Sequence, residues 1–140
     1  MIHALLDTNV VLDALLDRTP WNIQANAIWQ AQLDKQFVAY VTATTLTDIF
    51  YISRRYGGLE KAWRLIHAVL NQVPIISVGP RELKLATTLA GNDFEDNLQI
   101  ACAMLIQLDV IVTRNLSGFS VDNVQILTPQ QMLLRLSEDD

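Results

Sequence analysis

The chain has 140 residues, of which 51% are hydrophobic, and its 15 acidic and 10 basic side chains leave a net charge of −5. That apolar content supports a packed core and excludes a disordered polar tail. The acidic balance excludes nucleic-acid binding by side-chain phosphate neutralisation alone, so such a ligand would need positive charge from bound metal ions.

The stretch IHALLDTNVVLD opens the chain. Its apolar run Ile2 to Leu6 reads as a buried strand that stops at Asp7, with a helix from Thr8 to about Leu16. Pro20 suits the start of a second helix, Trp21 to Lys35, with Ile23, Ala27, Ile28 and Ala31 at helical spacing. Phe37 to Thr42 is β-branched and aromatic, hence a second strand. Thr44 or Thr45 can cap a helix to Tyr56, which Gly57-Gly58 ends. Leu59 to Leu70 is a further helix with Trp63, Ile66 and Leu70 at core spacing. Pro74 to Val78 is a third strand, and Pro80 starts a helix to about Leu89.

Phe94 to Leu108 has the clearest helical pattern, with Leu98, Ala101, Cys102 and Leu105 on one face. Asp109 to Thr113 is a fourth strand, Ser117 to Asn123 a loop, Val124 to Leu127 a short fifth strand, and Thr128-Pro129 opens a last helix to Leu136. Strands alternating with helices predict one α/β domain over residues 1–136 with a parallel sheet covered on both faces. Ser137 to Asp140 is expected to fray.

Cys102 is the one cysteine. It allows no intramolecular disulfide, agrees with a reducing cytosolic compartment, and reads as a core thiol. No stretch is apolar and long enough to span a membrane. Asp7 and Asp13 interrupt what would be a signal-peptide core, so the protein is expected to start near Met1 and stay in the cytoplasm.

Acidic residues fall at strand ends and helix starts. Asp7 and Asn9 follow the first strand, and Asp48 lies in the first turn after the second. Asp93, Glu95 and Asp96 open the clearest helix, and Asn115 follows the fourth strand. In open α/β sheets these positions share one edge, where ligands bind. Each has a plainer reading, because first-turn acids cap helices and oppose the macrodipole. Gathered together they would repel, and some would hold protons at neutral pH. Hard cations such as Mg²⁺ or Mn²⁺ relieve that repulsion, whereas two histidines and one cysteine offer little for zinc. A carboxylate site of this kind suits phosphoryl chemistry. Arg54, Arg55, Lys61 and Arg64 form the densest basic stretch and are candidates for guiding a nucleic-acid backbone; the alternative is a solvated charged face. Asp13, Asp17, Asp34 and Glu60 read as solvated helix positions.

LLDTNVVLD, TATTLTDIFYISRR, DFEDNLQIACA, DVIVTRNLSGF and ILTPQQML, in that order, resemble the PIN-domain family, specifically its small bacterial VapC-like toxin ribonucleases. The resemblance covers nearly the whole chain. It implies a three-layer α/β/α domain with a short parallel sheet of four to five strands. It also implies a Mg²⁺- or Mn²⁺-dependent site for RNA cleavage, frequent homodimers, and a toxin role opposite an antitoxin. The family's acids map onto Asp7, Asp96 and Asp93, and Asn9 and Thr113 match supporting polar positions. The chain departs from the pattern at Asp48, where many members have Glu. It also departs at Asn115 and at Gly118 before Phe119, where many have Asp. Fewer carboxylates are expected to weaken a second metal.

The leading expectation is an endoribonuclease using metal-activated water, with Asp7, Asp96 and Asp93 as ligands, Asp48 completing the catalytic shell, and Asn9, Thr113 and Asn115 in support. One rival is a catalytically weak PIN-like binding module, motivated by Asn115 and Gly118. A second is a receiver-like phosphoacceptor domain, which would need a phosphoacceptor Asp after a central strand and a Lys after the last.

Overall fold

A computed structural model describes residues 1–116 and 123–138. The apolar run after Ile2 forms β1 (His3–Leu6), and Asp7 leads directly into α1 (Thr8–Leu15). Then follow α2 (Asn22–Leu33), β2 (Val38–Thr42), α3 (Ala43–Gln72), β3 (Ile75–Ile76), α4 (Pro80–Thr88) and α5 (Phe94–Leu105). The chain closes with β4 (Val110–Val112), β5 (Gln125–Leu127) and α6 (Pro129–Glu138). Most of the expected loop from Ser117, including Gly118 and Phe119, lies outside the described residues. Ser137 and Glu138, expected to fray, complete α6.

All strand pairs are parallel and the order is β3-β2-β1-β4-β5. Successive strand residues point to opposite faces. Accordingly Ala4, Leu6, Val110 and Val112 join one core with residues of α1, α2, α3 and α6. Leu5 and Ile111 join a second core with residues of α4 and α5. The result is three layers, α/β/α, as expected. The order reverses direction at β1, so the crevice between the ends of β1 and β4 is a topological switch point. A receiver of the flavodoxin type has the order 2-1-3-4-5. The observed order excludes that reading.

Several local expectations need correcting. The two helices expected on either side of Gly57-Gly58 are present, numbered together here as α3, and the break between them falls at Gly58, whose φ of 88° and ψ of 173° are non-helical. Thr42, not Thr44 or Thr45, stands at the N-cap, and its side chain makes no capping bond. Ile23 and Ala27 face solvent while Ala25, Ile28 and Ala31 are buried. Trp63 and Leu70 are likewise exposed and Ala62 and Val69 buried, with Trp63 packed on Phe50 at 4.8 Å between ring centroids. One residue turns a helix by about 100°, so spacing identifies a helix more readily than it identifies the buried face. Asp13, expected in solvent, is buried. Cys102 is a buried free thiol, as expected. No helix among the described residues is long and apolar enough to cross a membrane.

Candidate active site

Register builds the site. Leu6 pairs with Val112, and the Asp7 N–H donates to Val112 O at 2.9 Å. Asp7 and Thr113 are therefore neighbours at the carboxyl edge of the sheet. Thr113 is buried and its hydroxyl donates to Asp7 Oδ2 at 3.4 Å. Asp7 occupies the N-cap of α1 but makes no side-chain capping bond, so that plainer role is not realised.

Asp7 lines an open cleft of about 410 Å³. Thr8 and Asn9 enter it from α1, Asp48 and Ile52 from α3, Asp93, Glu95 and Asp96 from the start of α5, and Thr113 and Asn115 from the end of β4. Thus Asp7, Asp96, Asp93, Asp48, Asn9, Thr113 and Asn115 share one cleft. Arg54, Arg55 and Arg64 do not line it; they are exposed along α3. Gly118 lies outside the described residues.

The helix start at α5 explains part of the acidic cluster. Asp93 is the N-cap, its Oδ1 accepting from the Asp96 N–H at 2.9 Å. The capping reading is therefore correct for one oxygen of Asp93, and its carboxylate lines the cleft as well.

Four residues outside the expected ligand and supporting set, Glu95, Thr8, Thr45 and Gln99, form a hydrogen-bonded network at the cleft. Glu95 projects from the same turn as Asp93 and Asp96. Burial, then a hydrogen bond with Asp48 and its charge, push the Glu95 carboxyl up to about 7. Thr8 is a hub: its Oγ1 lies 2.8 Å from Thr45 Oγ1, donates to Glu95 Oε1 at 3.3 Å, and accepts from Gln99 Nε2 at 3.4 Å. Thr45 also meets Thr42 Oγ1 at 3.1 Å. Buried Gln99 contacts Asp7, and its Oε1 has no hydrogen-bond partner. The signal for Gln99 is helical spacing: it follows Glu95 by one turn in DFEDNLQ. Nothing local marks Thr45.

The electrostatics agree with a crowded acidic site. Burial raises the Asp7 carboxyl above its usual range, opposed by hydrogen bonds from Gln99 and Thr113 and by the Thr8 and Asn9 amides. Burial, then the charges of Asp93 and Asp7, lift Asp96 to about 6. A divalent cation would relieve both. Among the described residues, no three His, Cys, Asp or Glu side chains are gathered tightly enough to hold an ion by themselves. The donors are hard oxygens, and both histidines lie away from the cleft, His3 with its Nδ1 2.7 Å from Tyr40 Oη. The residues fit a Mg²⁺ or Mn²⁺ site.

A PIN-domain sequence profile matches residues 3–117. Among curated proteins none matches the chain. The fold is similar to DNA-bound VapBC from Salmonella typhimurium, at 15% identity and TM-score 0.67, covering 92% of this chain and 99% of that one. It is similar to VapBC2 from Rickettsia felis bound to a promoter DNA fragment, at 16% identity and TM-score 0.66, covering 91% and 98%. It is also similar to Mycobacterium tuberculosis VapC20, a sarcin-ricin-loop-cleaving toxin, at 13% identity and TM-score 0.64, covering 77% and 86%.

Proposed function

The chain belongs to the PIN-domain family, and from that premise we propose that it is a metal-dependent endoribonuclease, the toxin of a toxin–antitoxin pair. The observation that carries the reading is the meeting of Asp7, Asp48, Asp93, Glu95 and Asp96 in one cleft at the switch point of the sheet. Asp7 and Asp96 would hold the ion, with Asp93 and Asp48 completing the shell. A divalent cation bound there supplies charge stabilisation for the phosphodiester and a more acidic water.

The chain's own residues do the rest. Thr113 and Gln99 hold the Asp7 carboxylate in one orientation. Glu95, whose carboxyl is pushed up to about 7 by burial and by Asp48, hydrogen-bonds Asp48 beside the proposed ligands. Asn9 and Asn115 orient waters at the rim. Attack is by water, with no covalent intermediate. The similarity to VapBC assemblies supports a cognate antitoxin as partner. The VapC20 toxin supports RNA as the substrate class. We further assign a single catalytic domain over residues 1–136, a homodimer, and action in the cytoplasm.

RNA cleavage with Mg²⁺ or Mn²⁺ tests the reading, comparing the parent with Asp7→Asn and Asp96→Asn. Both variants lose cleavage. Variants as fast as the parent would overturn the assignment.

A second reading is a catalytically weak binding module. Asn115 favours it, since an amide adds no charge to the cleft. Calorimetric titration with Mn²⁺ separates the two: absence of binding at millimolar concentration supports the module.

A further inference from the structure

Asp13 does not line the cleft, yet it is only 1% exposed within α1. Arg18 Nε donates to Asp13 Oδ1 at 2.9 Å. Arg114 Nε lies 3.0 Å from Asp13 Oδ2, an ion pair whose alignment falls short of a hydrogen bond. Each arginine is linked to the cleft, Arg18 through its side chain and Arg114 through its place in the chain. Arg18 Nη2 donates to Asn9 Oδ1 at 3.2 Å and reaches Asn9 O at 3.4 Å. Arg114 stands in sequence between Thr113, which donates to Asp7, and Asn115. Its guanidinium lies over the Trp21 ring, 3.8 Å from the centroid.

One buried carboxylate therefore ties together two segments that line the cleft, Asn9 in α1 and the residues following β4. Burial raises the Asp13 carboxyl even with two guanidinium groups against it. The cost of desolvating the charge thus exceeds what the arginines return. A buried ion cluster of that kind is weak evidence for stability, and its best-supported use is to specify one geometry.

We propose that Asp13, Arg18 and Arg114 form a positioning clasp that sets Asn9 and the Thr113–Asn115 segment against Asp7. The proposal rests on the reading of the cleft as the active site. The guanidinium is the group the clasp needs. Arg18 holds Asp13 Oδ1 through both Nε and Nη2 while Nη2 also reaches Asn9 Oδ1, a planar fork that a lysine ammonium cannot reproduce.

The test combines cleavage kinetics with the NMR resonances of the Asn9 side-chain amide in the parent, Arg18→Gln, Arg18→Lys and Asp13→Asn. In Arg18→Gln the Asn9 resonances shift, and kcat falls about 10–100-fold with KM little changed. Asp13→Asn adds shifts at the Thr113 and Asn115 backbone amides. Arg18→Lys, which keeps the charge, restores neither the Asn9 resonances nor kcat. Arg18→Gln leaves the Asp13–Arg114 pair intact, so it carries the test even where Asp13→Asn does not fold. Unmoved Asn9 resonances in folded Arg18→Gln overturn the clasp, as does full rescue by lysine. A parent that cleaves no RNA sinks the functional reading instead, and the clasp is then decided by the Asn9 resonances alone.

Discussion

The Thr113 hydroxyl donates to Asp7 Oδ2 across 3.4 Å, joining the end of β4 to the end of β1. The bond exists because the strands pair in parallel with Leu6 level with Val112. It favours the ionised form of a carboxylate that burial pushes the other way. Thr113→Val keeps the shape and removes the donor. A hydrogen bond of this kind contributes about 1 kcal/mol, so Mn²⁺ affinity measured by calorimetry falls about fivefold. An unchanged affinity would show that Thr113 does not support Asp7.

Stability should depend on pH in a direction set by the acids of the α5 start. Asp96 and Glu95 have folded-state values raised to about 6 and about 7. For a raised carboxyl the folded state holds more protons than the unfolded chain. Its contribution is present below the ordinary carboxylate range and is lost as pH rises through the folded value. Metal-free protein should therefore lose Tm between about pH 4 and about pH 7 from these two groups. Both are partly open to solvent, so the slope is shallow. The double variant Glu95→Gln/Asp96→Asn flattens it, and saturating Mn²⁺ opposes it in the parent. A parent whose Tm rises steadily over that window, and does so equally in the variant, would contradict the assignment.

Arg54, Arg55 and Arg64 stand on α3 outside the cleft. If they track an RNA backbone, their effect is electrostatic and independent of sequence. Each phosphate left without its arginine should flatten the dependence of log binding constant on log salt by about 0.7 for a single strand. The triple Gln variant is expected to bind RNA more weakly with a flatter salt slope, without change in Mn²⁺ affinity. A parental slope in the variant would return the three arginines to a solvated face.

Gly58 breaks α3 at φ 88° and ψ 173°, a region open essentially to glycine alone. No atom stands within 4 Å of the place a Cβ would occupy, so the obstacle is backbone strain, not space. Gly58→Ala should destabilise the fold by about 1–3 kcal/mol, read by urea denaturation. Gly57→Ala meets the flexible Lys61 side chain instead, which can move aside, and should cost less.

Local pattern was enough for the fold class and for most of the lining of the cleft. Alternation of apolar runs and helical spacing placed five strands and their helices close to where they lie, because side-chain period follows directly from backbone conformation. Asp7, Asp48, Asp93 and Asp96 were legible because each sits where a strand ends or a helix begins, and in a parallel sheet those ends share an edge. Asn9 and Asn115 were legible in the same way, and the family pattern added Thr113. The buried faces were less legible: Ile23, Trp63 and Leu70 have core-like spacing and lie in solvent, since apolar side chains on both faces of a helix leave its rotation undetermined.

Only the tertiary structure decided what depends on neighbours distant in sequence. Strand order brought β4 beside β1 and so placed Thr113 on Asp7. Packing of α5 against the start of α3 paired Glu95 with Asp48, 47 positions apart by subtraction, and moved a proton affinity toward neutrality. The meeting of α1 with α3 made Thr8 and Thr45 partners. Asp13 differs most between the two views. In sequence it is one more polar residue on a helix, and in the fold it is a buried anion between Arg18 and Arg114. Desolvation and charge pairing are properties of the surroundings, and for Asp13 and Glu95 those surroundings are assembled only when the sheet closes.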